Sequence, residues 1–246
     1  MRREPAEQAE MVSQLLFGET YRVEETAGNW MRIITEFDNY EGWIDNKLFE
    51  DAPADFTPET TDTAIQFATV AEITFTDGTR LLTPAGSRLP EFNVDRKTIV
   101  VKGLRCTMSS PFESLICPPG HDVLQTTRQF LHTPYVWGGR STFGFDCSGL
   151  VQTVYHIHRK NLPRDASQQF LAGDKVPVLQ EAEPGDLAFF AGKSGKISHV
   201  GILDGLGNIL HCSGKVRIDH ITEEGIRHAD SRDLTHRLAG IKRLPG

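Results

Sequence analysis

Two apolar runs, ISHVGIL (197–203) and NILHCSG (208–214), flank the short stretch DGLGN. Strand-type residues on both sides of a turn rich in Gly, Asp and Asn read as a β-hairpin. With 204–208 as the loop, Leu203 pairs with Ile209, and Gly201 pairs with His211. His199 then lies diagonal to His211 on the same sheet face, within about 7–8 Å. A loop longer or shorter by one residue would send the two imidazoles to opposite faces. Gly201, opposite His211, leaves room for the ring.

Upstream, FDCSGL (145–150) opens a run in which Leu150, Val151, Val154, Tyr155 and His158 recur at helical spacing. That helix should end near RKNLP, because Pro163 disfavours helical backbone at the residue before it. Asp146 suits the N-cap, and Cys147 falls in the first turn. Cysteine is often a small core hydrophobe. At a helix start, however, backbone N–H groups and the macrodipole favour a thiolate, the nucleophilic form. Gly149 in the first turn costs about 1 kcal/mol of helix propensity relative to Ala. Close approach of a substrate to the backbone there would explain it.

A thiol nucleophile needs a base, and the hairpin offers one. Cys147 as nucleophile, His199 as general base and acid, and His211 as orienter of His199 form a consistent set. Two readings stand beside it. A histidine on a strand is commonly structural, and two on one hairpin also suit a zinc site with Cys212 or Cys147 as third ligand. His156 and His158 read as packing or surface residues, since positions two apart on a helix do not face each other. His121, His132, His220, His228 and His236 have no motif around them.

The segments around this core order the chain. HDVLQTTRQFLHT has helical spacing, ASQQFL reads as a shorter helix, and DLAFFA and VRIDHI read as further strands. Helices followed by antiparallel strands make residues 118–246 an α+β domain, helices packed on an antiparallel sheet. Residues 1–55 hold the short strand-like runs MVSQLLF, YRVEE, WMRIITEF and EGWIDNKLF, which suggest a small barrel. DAPADFTPETTD (51–62) reads as a linker. Residues 56–117 are again β-rich and suit a second small barrel.

Charge is split unevenly. Residues 1–117 hold 11 Lys+Arg and 20 Asp+Glu, so neither half offers the basic face that nucleic acid requires. All nine histidines lie after residue 117. The four cysteines, Cys106, Cys117, Cys147 and Cys212, show no CxxC spacing and no dense disulfide framework. Cys106 and Cys117 could pair, but reduced thiols are the default. No run approaches the roughly 20 apolar residues of a membrane span. MRREPAEQAE lacks the apolar core of a signal peptide. The chain as written reads as cytoplasmic and monomeric, or as exported if a leader was removed.

In order, PYVWGG, FDCSGL, PRDASQQ, PGDLAFF, SHVGIL and HCSG resemble the NlpC-type cysteine peptidases of bacterial cell-wall peptides, over about residues 120–245. MVSQLLFGE, GNWMRI and YEGWI resemble the bacterial SH3-like domain. Together they resemble multidomain members that cut γ-D-glutamyl–diamino acid bonds of murein stem peptides. The resemblance implies a papain-like domain behind one or two SH3-like barrels. The implied triad is Cys147, His199 and His211, with Tyr135 helping to hold the oxyanion. It further implies substrate contacts at Asp146, Ser148 and Ser167. Asp146, Glu10 and Tyr40 would meet the free amine of an N-terminal L-Ala. No metal or cofactor is expected, since thiolate and imidazolium suffice. Rival readings are a thiol amidase or acyltransferase of the same fold, and a wall-binding protein without catalysis.

Overall fold

The structure is a computed structural model and describes residues 1–48, 63–110 and 114–245. The linker expected at 51–62 lies outside the described residues. The chain divides into two compact units, Met1–Gly120 and His121–Gly246.

The first unit is built from short antiparallel strands. β1 (Tyr21–Ala27), β2 (Trp30–Thr35) and β3 (Glu41–Asp45) form a three-stranded sheet over buried Ile33 and Ile44. MVSQLLF, expected as a strand, is irregular, with a bridge from Met11 to Arg2 and backbone hydrogen bonds from Val12 N to Met1 O and from Arg88 N to Phe17 O. Its side chains anchor it as well: Ser13 and Leu16 are buried. β4 (Ala64–Ile65) and β7 (Arg88–Leu89) pair with each other. β5 (Val70–Thr74), β6 (Arg80–Pro84), β8 (Thr98–Val101) and β9 (Leu104–Ser109) form a sheet in the order β6-β5-β9-β8. Ile73, Leu89, Ile99, Cys106 and Met108 make its core, with Phe17 packed against it.

The second unit begins with α1 (Val123–Gln129), capped by Asp122, whose side chain accepts from Gln125 N in a capping box. β10 (Arg140–Ser141) and β11 (Gly144–Phe145) form a tight ribbon that leads into α2 (Cys147–Ile157). Every residue of α2 is buried. Each fully buried Leu or Val there contributes about 1.5–3 kcal/mol. The helix stops two residues before Arg159, which takes the left-handed conformation at φ 63°. α3 (Ala166–Gln169) follows.

The remaining strands are β12 (Asp174–Val176), β13 (Leu187–Ala191), β14 (Ile197–Leu203), β15 (Asn208–Ser213), β16 (Lys215–Thr222), β17 (Gly225–Arg227) and β18 (Leu234–Arg243). They are ordered β12-β18-β13-β14-β15-β16-β17, and β17 also pairs with β18. The antiparallel sheet therefore closes into a six-stranded barrel with β12 appended, rather than staying open beneath the helices. The closing strand was hard to read from sequence, because LTHRLAGIKR alternates exposed and half-exposed residues and buries only Ile241. Ala188, Phe190, Leu203, Ile209, Ile221, Ile226 and Ile241 cluster as the barrel core. The intervening residues of β13 and β14, such as Phe189, Val200 and Ile202, are fully buried too. Strands buried on both faces explain their near-continuous apolar runs. Among the described residues, no helix is long and apolar enough to cross a membrane.

Candidate active site

Asp146 begins α2 from extended backbone, and its Oδ1 accepts from Gly149 N at 2.7 Å. Asp146 N in turn donates to Gly139 O at 2.9 Å, fastening the helix start to the PYVWGG loop. A Cβ on Gly149 would lie 2.1 Å from that same Gly139 oxygen. The loop's backbone by itself therefore requires a glycine here. Cys147 is 7% exposed, and its Sγ lies 3.9 Å from Ser198 O. The N–H of Val200 also turns to the sulfur. The thiol therefore rests against β14 on both sides of His199.

Burial pushes the Cys147 thiol up to about 12, and the Asp146 carboxylate adds to the effect. The N–H groups of Val200 and Ser148, and the Arg164 guanidinium, pull the other way without prevailing. Burial thus opposes the acidifying effect expected of the helix start. Desolvation of the charge outweighs the local dipoles.

The hairpin register is the expected one: Leu203 opposes Ile209 and Gly201 opposes His211. A Cβ on Gly201 would meet the His211 Cβ at 2.8 Å. His199 Nε2 lies 2.8 Å from His211 Nδ1, with the rings nearly perpendicular. Burial first, then His211 and His236, holds the His199 imidazole well below its ordinary value. Burial likewise lowers His211, against the opposing pull of Asp219.

Three further residues join the site without having been named as candidates: Asp219, His236 and Arg164, the last within PRDASQQ. Asp219 Oδ2 lies 3.0 Å from His211 Nε2. It sits one strand further on, where Ile209 opposes Asp219 and His211 opposes Arg217. The available signal was an acid within VRIDHI, on the strand next to the hairpin. His236 stacks on His199 at 4.2 Å with the planes 23° apart. Burial lowers its pKa to about 4. It comes from the closing strand β18, which the apolar pattern does not reveal. Arg164 is fully buried and grips Asp146 with two nitrogens, at 3.0 and 2.6 Å.

That grip is one of several contacts that fix Asp146. Asp146 receives Arg164, Gly138 N, Gly149 N and the Ser148 hydroxyl. Arg164 thus gives this buried carboxylate a counter-charge within the protein. Ser148 is buried as well, and accepts from Arg164 Nη1 at 3.0 Å. Tyr135 is half-buried, its N–H donating to Gly214 O. Its hydroxyl is pushed upward by burial, then by Cys147 and Asp146, which places it in the field of the thiol. Ser167 is exposed on α3. Glu10, exposed and paired to Arg3 at 2.5 Å, and half-buried Tyr40 belong to the first unit.

His156 and His158 take no part. His158 Nε2 meets Thr126 Oγ1 at 2.7 Å, and His156 is buried beside Asn161. Among the described residues, no group of three His, Cys, Asp or Glu side chains is placed to hold a metal. His211 spends its two nitrogens on His199 and Asp219. Cys106, Cys117, Cys147 and Cys212 are all unpaired thiols.

Residues 132–234 match the NlpC/P60 family, and residues 1–47 match the bacterial dipeptidyl-peptidase SH3 domain. The chain is 48% identical over 92 residues to the gamma-D-glutamyl-L-lysine dipeptidyl-peptidase of Bacillus subtilis, covering 37% of this chain and 31% of that protein. It is 29% identical to the Bacillus cereus protein of the same name, covering 81% of this chain and 66% of the relative. The chain thus spans from under a third to just under two thirds of the length of these curated relatives. Dipeptidyl-peptidase 6 of Lysinibacillus sphaericus is 27% identical over 90% of this chain and 88% of its own. A crystal structure of an NlpC/P60 family protein from Bacillus cereus superimposes with a TM-score of 0.77 at 25% identity, covering 96% of this chain and 83% of that one. Motifs, barrel, buried thiol and the two matches converge on one domain organisation: an NlpC/P60 domain over residues 132–234, with a bacterial dipeptidyl-peptidase SH3 domain over residues 1–47.

Proposed function

We propose that this protein is a cysteine peptidase that hydrolyses the γ-D-glutamyl–diamino acid bond of murein stem peptides with a free N-terminal L-Ala, releasing L-Ala-γ-D-Glu. The observation that carries the reading is the Cys147 thiol, set against β14 at His199, with His211 bonded behind that imidazole. The relatives named as gamma-D-glutamyl-L-lysine dipeptidyl-peptidases support the substrate class.

The geometry suggests an order of events. Burial pushes the Cys147 thiol up and the His199 imidazole down, which favours a neutral pair before substrate binds. His199 bonds His211 through Nε2, so Nδ1 is the nitrogen left for the thiol. As the substrate carbonyl arrives, the S–H proton passes to His199 and the sulfur attacks the γ-carbonyl of D-Glu. The oxyanion is received by the Cys147 N–H and the Tyr135 hydroxyl, donors of a kind worth roughly 3–4 kcal/mol each. His199 returns the proton to the departing diamino acid amine, leaving a thioester. Water, deprotonated by His199, cleaves the thioester, and the proton ends on the sulfur. His211 orients His199 throughout.

Ser148 and Ser167 remain candidate contacts to the peptide. Asp146, Glu10 and Tyr40 are the candidates for the L-Ala ammonium. The test is mass spectrometry of the products from L-Ala-γ-D-Glu-diamino acid peptides, with the amine free and acetylated. Cleavage of the free peptide alone is expected. Equal cleavage of the acetylated peptide would remove the amine requirement.

A further inference from the structure

His199, His211 and Asp219 lie on three successive antiparallel strands, each diagonal to the next. Gly201 opposes His211, His211 opposes Arg217, and each acting residue is displaced by two. The chain of contacts is His199 Nε2 to His211 Nδ1 at 2.8 Å, then His211 Nε2 to Asp219 Oδ2 at 3.0 Å. All three residues are 7% exposed or less. Water is therefore a poor substitute for any missing partner.

With both imidazoles neutral, proton bookkeeping along this line has one solution. An ionised carboxylate only accepts. Arg217 Nη2 and Ala229 N both donate to Asp219 Oδ1, at 2.9 and 2.8 Å, and the Arg217 guanidinium also pairs with Oδ2. Those donors favour the ionised form of Asp219. His211 must then carry its proton on Nε2. As a neutral imidazole it presents a lone pair at Nδ1. His199 must donate to that lone pair from its own Nε2. Its Nδ1 is left as the lone pair available to take a proton. We infer that Asp219 is a positioning residue that fixes the tautomers of both His211 and His199, so that the base presents Nδ1 to Cys147. The inference rests on reading Cys147 and His199 as nucleophile and base.

The geometry also says what an amide would do. Oδ1 accepts hydrogen bonds from two N–H donors, whereas Arg217 Nε meets Oδ2 as an ion pair without a hydrogen bond, so the –NH2 of an asparagine at 219 is disfavoured more strongly on the Oδ1 side. It is driven to the Oδ2 side, facing His211 Nε2. It would then donate to that nitrogen, move the His211 proton to Nδ1, and turn His199 Nε2 into an acceptor. The base would present N–H, not a lone pair, to the thiol. Asp219→Glu keeps an acceptor-only group, at the cost of one extra methylene.

The test compares wild type, Asp219→Asn and Asp219→Glu, with ring-nitrogen NMR of His199 and His211 alongside steady-state kinetics. Asp219→Asn should lower kcat about 10- to 100-fold, the factor for one misdirected buried hydrogen bond, with KM changed less than about threefold. Both ring protons should move from Nε2 to Nδ1. Asp219→Glu should recover more kcat than Asn and keep the wild-type tautomers. A purely structural role predicts the reverse order, since Asn is the isosteric replacement. Asn equal to or better than Glu, or wild-type His211 protonated on Nδ1, overturns the inference. The wild-type spectrum decides even if Asp219→Asn does not fold. Hydrolysis that survives Cys147→Ala would instead refute the peptidase reading and leave the tautomer result standing.

Discussion

Replacing Arg164 by Met should unfold the C-terminal unit at markedly lower temperature. Arg164 is 1% exposed and Asp146 10%, and their closest approach is 2.6 Å. Removing the guanidinium leaves a buried carboxylate without a counter-charge, a change that costs about 3–5 kcal/mol. Gly138 N, Gly149 N and the Ser148 hydroxyl still solvate it, which favours the lower end. For the unit His121–Gly246, unfolding entropy scales with length. About 3 kcal/mol then corresponds to roughly 10–15 °C in Tm. The assay is calorimetric unfolding of Arg164→Met beside the double variant Asp146→Asn/Arg164→Met. The double variant buries neither charge, and asparagine still caps a helix. It should recover at least half of the lost Tm. A shift below about 3 °C for the single variant would refute the reasoning, as would a double variant no more stable than the single one.

Other consequences follow from the same contacts. Tyr135→Phe removes one proposed oxyanion donor and should lower kcat about 10²- to 10³-fold with Tm nearly unchanged, as steady-state kinetics would show. Gly149→Ala places a Cβ 2.1 Å from the Gly139 carbonyl oxygen and should destabilise by about 1–3 kcal/mol in denaturant titration. His199, His211 and His236 all have imidazoles lowered by burial. Their folded forms bind fewer protons than the unfolded chain below about pH 6.5, so the stability they allow is complete above that pH and lost as pH falls. Tm should therefore drop between pH 7.5 and pH 5, and an unchanged or higher Tm at pH 5 would contradict this. Asp219, held at about 2, acts in the other range: its contribution is present above about pH 4 and fades toward pH 2.

What the sequence disclosed was what local periodicity and turn chemistry encode. The DGLGN turn set the hairpin register, and the register alone put His199 and His211 together. The Asp146 cap located the start of α2, hence Cys147. What stayed hidden depended on closure in three dimensions. His236 reaches His199 only because β18 closes the barrel, and its alternating exposed residues give no apolar run. Arg164 stands in PRDASQQ, but that stretch does not say which acid it meets; the fold buries it on Asp146. The thiol was expected to be acidified by its helix start. Its burial, which no pattern of neighbours in sequence reveals, set the opposite direction. Asp219 was legible in principle as an acid on the adjacent strand, but only once β16 was placed next to β15.

The most direct measurement of the central claim is intact-protein mass spectrometry during turnover of L-Ala-γ-D-Glu-diamino acid peptide, with Cys147→Ala in parallel. The account predicts a transient mass gain equal to the L-Ala-γ-D-Glu acyl group on Cys147, release of that dipeptide, and neither event in the alanine variant. Dipeptide release by Cys147→Ala, or wild-type cleavage at a different bond, would contradict it.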